Sequence, residues 1–211
     1  MDYFTGDIEI DNEILQNILE TKKFHTGTNR RMMLKNGTGK YPTKDQISAT
    51  FGLTRRGQLC PSNNYREESP YYGWYYTKNY SENLDLVPIF REYAELHLPI
   101  NFFWTQIQIN YNFQTPAHSD APNQGSSYIV GFGDYKGGDL CINKNGKVFH
   151  KNIKNNPTKF NGAKYTHWTT YYVGNRWSLV FFTMHSKSEL NKLIKKKIDF
   201  KFEKQNNNNN E

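Results

Sequence analysis

Residues 105–114, TQIQINYNFQ, alternate between polar and apolar side chains without a break. Successive side chains on a strand point to opposite faces, so Gln106, Gln108, Asn110, Asn112 and Gln114 share one face and Ile107, Ile109, Tyr111 and Phe113 the other. A helix would scatter the same residues around its axis. The segment therefore predicts a β-strand with one apolar face, and the rest of the chain must supply a sheet for it to join. An aromatic content of 16%, with 15 Tyr and 14 Phe, suits a core built on strands.

Around this strand the chain reads as one domain of 211 residues, large enough to bury a core without staples. Ile14, Leu15, Ile18 and Leu19 predict an amphipathic helix over 11–24, and Val87, Phe90, Tyr93 and Leu96 a second over 86–98, stopped by Pro99. The stretch 25–80, rich in Gly, Asn, Thr, Arg and Tyr without a sustained period, predicts long loops with short strands, the usual make-up of a lid. Further strands are predicted over 127–132, 139–142, 147–153, 168–173 and 176–183, with a tight hairpin at Gly137-Gly138. A closing amphipathic helix over 184–204 and a disordered Asn-rich tail over 205–211 complete the division, in which 1–104 supplies helices, loops and lid and 105–183 the β core.

Two cysteines, Cys60 and Cys141, exclude a disulfide framework and form no CxxC pair, which suits a reducing compartment. No apolar run approaches the roughly 20 residues of a membrane span, and the start MDYFTGDIEIDNE lacks a signal peptide's basic-then-apolar order. A soluble intracellular protein is expected. The net charge is +7, a hint of an acidic partner, yet a surplus of four cations falls within 187–204 alone.

The chemistry is carried by 107–182. His118-Ser119-Asp120 follows the alternating strand and a turn at Thr115-Pro116. Non-haem iron(II) takes two imidazoles and one carboxylate on one octahedral face, leaving positions open for co-substrate and dioxygen. A two-residue step in extended chain aims both side chains of H-x-D the same way. His167, 47 residues beyond Asp120 and just before the apolar run WTTYYV, is the candidate third ligand. Nine residues later Arg176 and Ser178 share one face of a strand, where a planar guanidinium would grip a carboxylate bidentately and the hydroxyl add a hydrogen bond. Singly, each piece also has a structural reading, since H-x-D arises by chance and a lone histidine at a strand start is more often packing than ligand. Their order in the chain is what points to a site.

HSDAPNQGSSYIVGFGDYKGGDLCI followed by H-x8-R-x-S resembles the core of the iron(II)/2-oxoglutarate dioxygenase superfamily, and more closely its ten-eleven-translocation and base-J-binding-protein branch than the collagen prolyl hydroxylases. The resemblance implies a double-stranded β-helix (jelly roll), mainly β with flanking helices (α+β). It implies His118, Asp120 and His167 as ligands of Fe(II), and Arg176 and Ser178 as the anchor of 2-oxoglutarate, with O2 as the other co-substrate.

In a jelly roll the inward amide face lines the cavity, so Asn110 becomes a candidate oxoacid contact and Asn112 a candidate substrate contact, although on an ordinary sheet that face meets water. Asn123 either touches substrate or closes its turn. Arg55 and Arg56, beside many tyrosines, either clamp phosphates or are solvated. His25, His97, His150 and His185 lack partners nearby in sequence and are expected to be structural or exposed. The branch resemblance and the basic charge favour a nucleic-acid base as substrate, a methylated pyrimidine among the candidates. The alternatives are a protein side chain, a small molecule, or a cupin-like module without catalysis. Oligomeric state is not legible.

Overall fold

The computed structural model describes residues 3–27, 45–55, 74–120, 123–184, 188 and 191–192. Arg56, Cys60, His185, the tail and most of the predicted closing helix lie outside them. The alternating segment forms strand β3 (Gln106–Tyr111). It sits inside an antiparallel sheet with β1 (Ile47–Arg55), β2 (Trp74–Tyr76), β4 (Ser127–Phe132), β8 (Thr158–Phe160) and β11 (Trp177–Phe182), in the order β2-β1-β3-β11-β4-β8. A smaller sheet has the order β7-β6-β9, from β6 (Leu140–Lys144), β7 (Lys147–Lys151) and β9 (Thr166–Thr169), while β5 (Tyr135–Gly137) pairs with β10 (Tyr172–Gly174).

Strand order identifies the architecture. From β3 the chain crosses to an isolated bridge between His118 and His167 beside β9, returns to β4, crosses to β6 and β7, returns to β8, crosses to β9 and returns to β11. Such alternate filling of two facing sheets is a double-stranded β-helix, mainly β with flanking helices. No helix among the described residues is long and apolar enough to cross a membrane.

Two layers follow from β3's alternation. Ile107 and Ile109, both fully buried, pack with Phe51, Val130, Leu179 and Phe181 beneath the helices. Gln106, Gln108 and Asn110 are buried as well, on the opposite face between the sheets. These three amides therefore line a cavity, whereas Asn112 and Gln114 lie beyond the end of β3, half-buried and exposed respectively, and do not line it.

Helix α1 spans Ile8–Glu20, earlier than predicted, because Asp7 caps it by accepting from the amides of Glu9 and Ile10 and the chain leaves the helix at Thr21. After the single turn and a half of α2 (Lys78–Glu82), α3 runs over Leu86–His97. It buries Leu86, Ile89, Phe90, Tyr93 and Ala94, whereas the predicted Leu96 is 47% exposed. A row of pure three-residue steps drifts off the contact face of a 3.6-residue helix, and the true face mixes steps of three and four. The stretch predicted as long loops contains the nine-residue β1, paired with β3 from Ile47↔Tyr111 to Gly52↔Gln106.

Gly137-Gly138 is not a hairpin, since β5 pairs with β10 and β6 with β7 and β9. The hairpin turn is Asn145-Gly146, whose φ values of 54° and 86° suit a type I′ turn joining β6 to β7. The region predicted as one strand over 168–173 is split between β9 and β10 in different sheets.

Three histidines expected to lack partners have them, His150 meeting Cys141 Sγ at 3.4 Å across β6 and β7. His25 meets Glu82 at 2.6 Å, and His97 Nε2 donates to buried Asp11 Oδ2 at 2.8 Å. Asp11 also accepts from Thr5 N (2.7 Å), Thr5 Oγ1 (2.8 Å) and Gly6 N (2.9 Å), tying the N-terminal segment to the end of α3. Burial raises the Asp11 pKa, but these bonds outweigh it and hold the carboxyl below its ordinary 3.8. A depressed carboxyl stabilises the fold above its unfolded pKa, and that contribution is lost as pH falls through the folded value. Asp11→Asn should therefore cost about 3 kcal/mol at neutral pH, as for one partner of a buried pair. Urea midpoints measured from neutral pH down past the ordinary carboxylate range should show the gap between parent and variant closing.

Candidate functional site

His118 and His167 are joined as an antiparallel bridge, His118 N to His167 O at 3.0 Å and His167 N to His118 O at 2.9 Å. The two rings consequently lie with centroids 4.3 Å apart. His118 Nδ1 faces Pro116 O at 2.8 Å and His167 Nδ1 faces Tyr165 O at 3.1 Å. A carbonyl oxygen only accepts, so each Nδ1 is placed to donate, which leaves Nε2 as the atom that each ring turns towards Asp120 and would offer to a metal.

Asp120 is held by its amide, which donates to Gly162 O at 2.8 Å. Its Oδ1 lies 3.5 Å from His118 Nε2 and its Oδ2 3.4 Å from His167 Nε2. Burial alone would raise this carboxyl's pKa, but hydrogen bonding and attraction from His118 and His167 prevail and hold it well below the usual carboxylate range. One ligand atom from each residue falls within 4.8 Å of the others. Two imidazole nitrogens and an ionised carboxylate, converging on a cavity wall, are a donor set that fits iron(II).

The cavity has a volume of about 500 Å3 and lies between the two sheets. Gln106, Gln108, Asn110 and Ser178 line it from the large sheet and Leu140, His167 and Thr169 from the small one. Its amides are pinned by neighbours: Thr50 Oγ1 donates to Gln108 Oε1 at 2.9 Å, Gln108 Nε2 to Ser48 Oγ at 3.1 Å, and Gln106 Nε2 to Leu53 O at 2.7 Å. Each amide has two donors and an acceptor oxygen, so bonding capacity remains for a ligand.

Arg176 is 1% exposed and lies just before β11. Its Nη1 donates to Ser178 Oγ at 3.4 Å and its Nη2 to Gly138 O at 3.2 Å, with Tyr135 and Tyr172 rings each 5.5 Å from the guanidinium carbon. Among the described residues no carboxylate ion-pairs with it; Asp139 acts only at longer range. Burial accordingly pulls the guanidinium below its ordinary range. Arg176 Nε and the Tyr135 hydroxyl are both buried and, beyond the attraction between hydroxyl and guanidinium, neither has a hydrogen-bond partner. Orphaned donors around a buried cation are what a carboxylate ligand would satisfy. Asn110 Nδ2 reaches the same Ser178 Oγ at 3.4 Å, linking this corner to the amide face.

Other candidates separate. Asn123 lines the cavity, and its backbone amide closes the turn on Asp120 O at 2.8 Å. Asn112, at φ 48°, accepts from Arg176 N and donates to Asn175 Oδ1, and it is absent from the cavity lining; this is a fold-holding role at the end of β3. Arg55 ends β1, and Arg56 lies outside the described residues.

Three contributors were missed in the sequence. Gly162 sits where a Cβ would meet Asp120 Oδ2 at 2.8 Å and His167 Cε1 at 3.0 Å. Gly138, at φ 73°, leaves room for Arg176, whose Nε a Cβ would meet at 2.8 Å. Tyr135 follows from neither spacing nor charge; the glycines around it in GFGDYKGGDL were the available signal of close packing.

No protein-family model matches the chain, and no curated protein matches it. Solved structures do. An oxidoreductase of the 2OG-Fe(II) oxygenase family from Burkholderia pseudomallei is similar at 16% identity, over 68% of this chain and 71% of its own, with a TM-score of 0.46. NgTET1 in complex with 5mC DNA is similar at 14% identity, over 82% and 67%, with a TM-score of 0.41. A Pseudomonas putida prolyl-4-hydroxylase is similar at 11% identity, over 86% and 88%, with a TM-score of 0.40. The fold assignment rests on strand order and register, not on these likenesses.

Asp120→Ala should abolish iron(II) binding, read by anaerobic titration, because two imidazoles alone chelate poorly. Gly162→Val should weaken it by roughly tenfold or more through displacement of Asp120 and His167, at the lower end of what outer-shell changes cost a metal site. A near-unchanged urea midpoint in both variants would separate site from fold.

Proposed function

We propose that this chain is an iron(II)- and 2-oxoglutarate-dependent dioxygenase that hydroxylates a nucleic-acid base, releasing succinate and CO2. The observation that carries the reading is a His-Asp-His donor set on the cavity wall joined, through Ser178 of that wall, to a buried guanidinium behind it whose Nε lacks a partner. His118, Asp120 and His167 would hold the ion. Arg176, Ser178 and Asn110 would hold the oxoacid. Iron(II), with the oxoacid and O2 bound, supplies the oxidation of an otherwise inert C–H bond.

The protein's own task is orientation. Arg176 offers a planar fork to the distal carboxylate, backed by Ser178, and its burial makes that pairing stronger than it would be in water. The substrate would enter above the metal, against Gln106, Gln108, Thr50 and Asn123. Rigid amides suit the donor and acceptor edge of a base better than an aliphatic side chain, which would leave them unsatisfied. A methylated pyrimidine fits the same edge and would present its methyl group for hydroxylation. Hydroxylation of a protein side chain is the second reading; a cavity wall bearing Ile129, Phe160 and Val180 gives it an apolar seat.

Arg176→Lys keeps the charge and loses the fork. The Michaelis constant for 2-oxoglutarate should rise roughly 10- to 100-fold, equivalent to one charge-assisted hydrogen bond of about 1.5–3 kcal/mol, with iron(II) affinity barely changed. Succinate release is measured against nucleic-acid and peptide panels, with mass analysis of whichever gains oxygen. An unaltered oxoacid constant or lost iron would place the anchor elsewhere, and oxygen found only on peptide would replace the base by a side chain.

A further inference from the structure

The face of the small sheet that carries His167 continues outward along its strands. Register sets Ile142 against both Phe149 and His167, and Lys144 against Lys147. By strand alternation Lys144, Lys147, Phe149 and Tyr165 share the face of His167, and Tyr165 is only two strand steps, about 7 Å, from it. Lys144 Nζ lies 5.5 Å from the Phe149 ring and 5.4 Å from the Tyr165 ring; Lys147 adds an ammonium 5.3 Å from Phe149, and Lys164 one 5.4 Å from Tyr165. The three lysines are exposed and the two rings half-buried. Tyr165 packs against a cluster holding Ile129, Leu140 and Phe160, which also line the cavity, so the patch borders its wall.

Three like charges gathered on two rings repel one another, and among the described residues no carboxylate ion-pairs with any of them. Solvation alone would spread such side chains apart. Flat rings between ammonium groups, beside a cavity of about 500 Å3, match a strand that carries a phosphate at every residue and a π face between phosphates. A duplex keeps its bases stacked inside, out of reach of these rings.

We infer that this patch is a docking surface for single-stranded nucleic acid, with Lys144, Lys147 and Lys164 taking backbone phosphates and Tyr165 or Phe149 stacking a base next to the one in the cavity. The inference rests on the base-oxidising reading and adds the path by which that substrate is held. The tethered ammonium groups shift from ring to phosphate as the strand arrives, which frees the ring faces.

The test is fluorescence polarisation of a labelled oligodeoxynucleotide about 12 residues long with the full chain across a salt series. Lys144→Gln, Lys147→Gln and Lys164→Gln combined should weaken binding at least about tenfold at low salt and reduce the slope of log affinity against log salt by about 2, from roughly 0.7 per phosphate contact. Phe149→Leu with Tyr165→Leu should weaken it about tenfold without changing the slope. Lys23→Gln, Lys136→Gln and Lys192→Gln combined remove the same charge from exposed positions elsewhere and should have a smaller effect. An equal loss in that control, tighter binding of duplex, or a double leucine variant that binds like the parent while polyglutamate competes equally, would each overturn the surface. Turnover separates the two claims. Oxidation of oligonucleotide with an unchanged Michaelis constant in the triple lysine variant would sink the docking surface alone. Lysine- and ring-dependent binding with no oxidation of any nucleic acid would sink the base-oxidising reading alone.

Discussion

Two backbone hydrogen bonds between His118 and His167 hold the site together. They join the segment after β3 to the start of β9, and thereby place imidazoles from distant parts of the chain 4.3 Å apart. Asp120 then needs no device of its own beyond a two-residue step of extended chain and one bond from its amide to Gly162 O. The bridge also explains why position 162 carries no side chain: the loop from Gly162 to Tyr165 must pass behind both Asp120 and His167, and a Cβ would strike them. A lone metal-binding motif on a flexible loop would have to bear the entropy of ordering three side chains; here the sheet has already met it.

The second dependence runs through the buried amides. Amides taken out of water without partners cost free energy, so the inner face of β3 can exist only if something bonds it. That partner is β1, whose Ser48 and Thr50 bond Asn110 and Gln108 across the pair. The N-terminal half is thus part of the cavity wall, holding the polar side chains in fixed orientations while leaving each some unused capacity. Apolar residues at 48 and 50 would strand the amides and loosen the face that lines the cavity.

How much of this was legible depends on how local the cause was. The alternation of β3, the H-x-D step and the R-x-S pair are consequences of period two within a few residues, and the structure lines one cavity with Gln106, Gln108, Asn110, His118, Asp120 and Ser178, with Arg176 behind Ser178. Strand β1 has the same signal, with Ile47, Ala49, Phe51 and Leu53 set against Ser48, Thr50, Gly52 and Thr54, but it lies in a stretch dominated by loop-forming residues and was hidden by that composition. The pairing of His97 with Asp11 spans 86 residues and that of His25 with Glu82 spans 57, distances over which no sequence spacing reports contact. Tyr135 was invisible for the same reason, since its position beside Arg176 follows from the corner at Gly137-Gly138 and from β10, not from any motif.

Charge relates Asp120 on the cavity wall to Arg176 behind it. The region holds one ionised carboxylate, Asp120, and one buried guanidinium, Arg176, without an ion pair between them. A divalent ion bound alone would leave the enclosed space strongly positive, and a dicarboxylate bound alone would leave it negative; either imbalance is costly where water is scarce. On the proposed reading a divalent ion, the Asp120 carboxylate, a dianionic oxoacid and the Arg176 guanidinium cancel. Each ligand therefore raises the affinity for the other, and by reciprocity the coupling is the same in both directions. Ser178 is placed to transmit it, because its hydroxyl accepts from Arg176 on one side and from Asn110 on the other. On that reading the buried arginine, destabilising when considered alone, would be the counter-charge that lets a dianion settle beside a metal neutralised in part by Asp120.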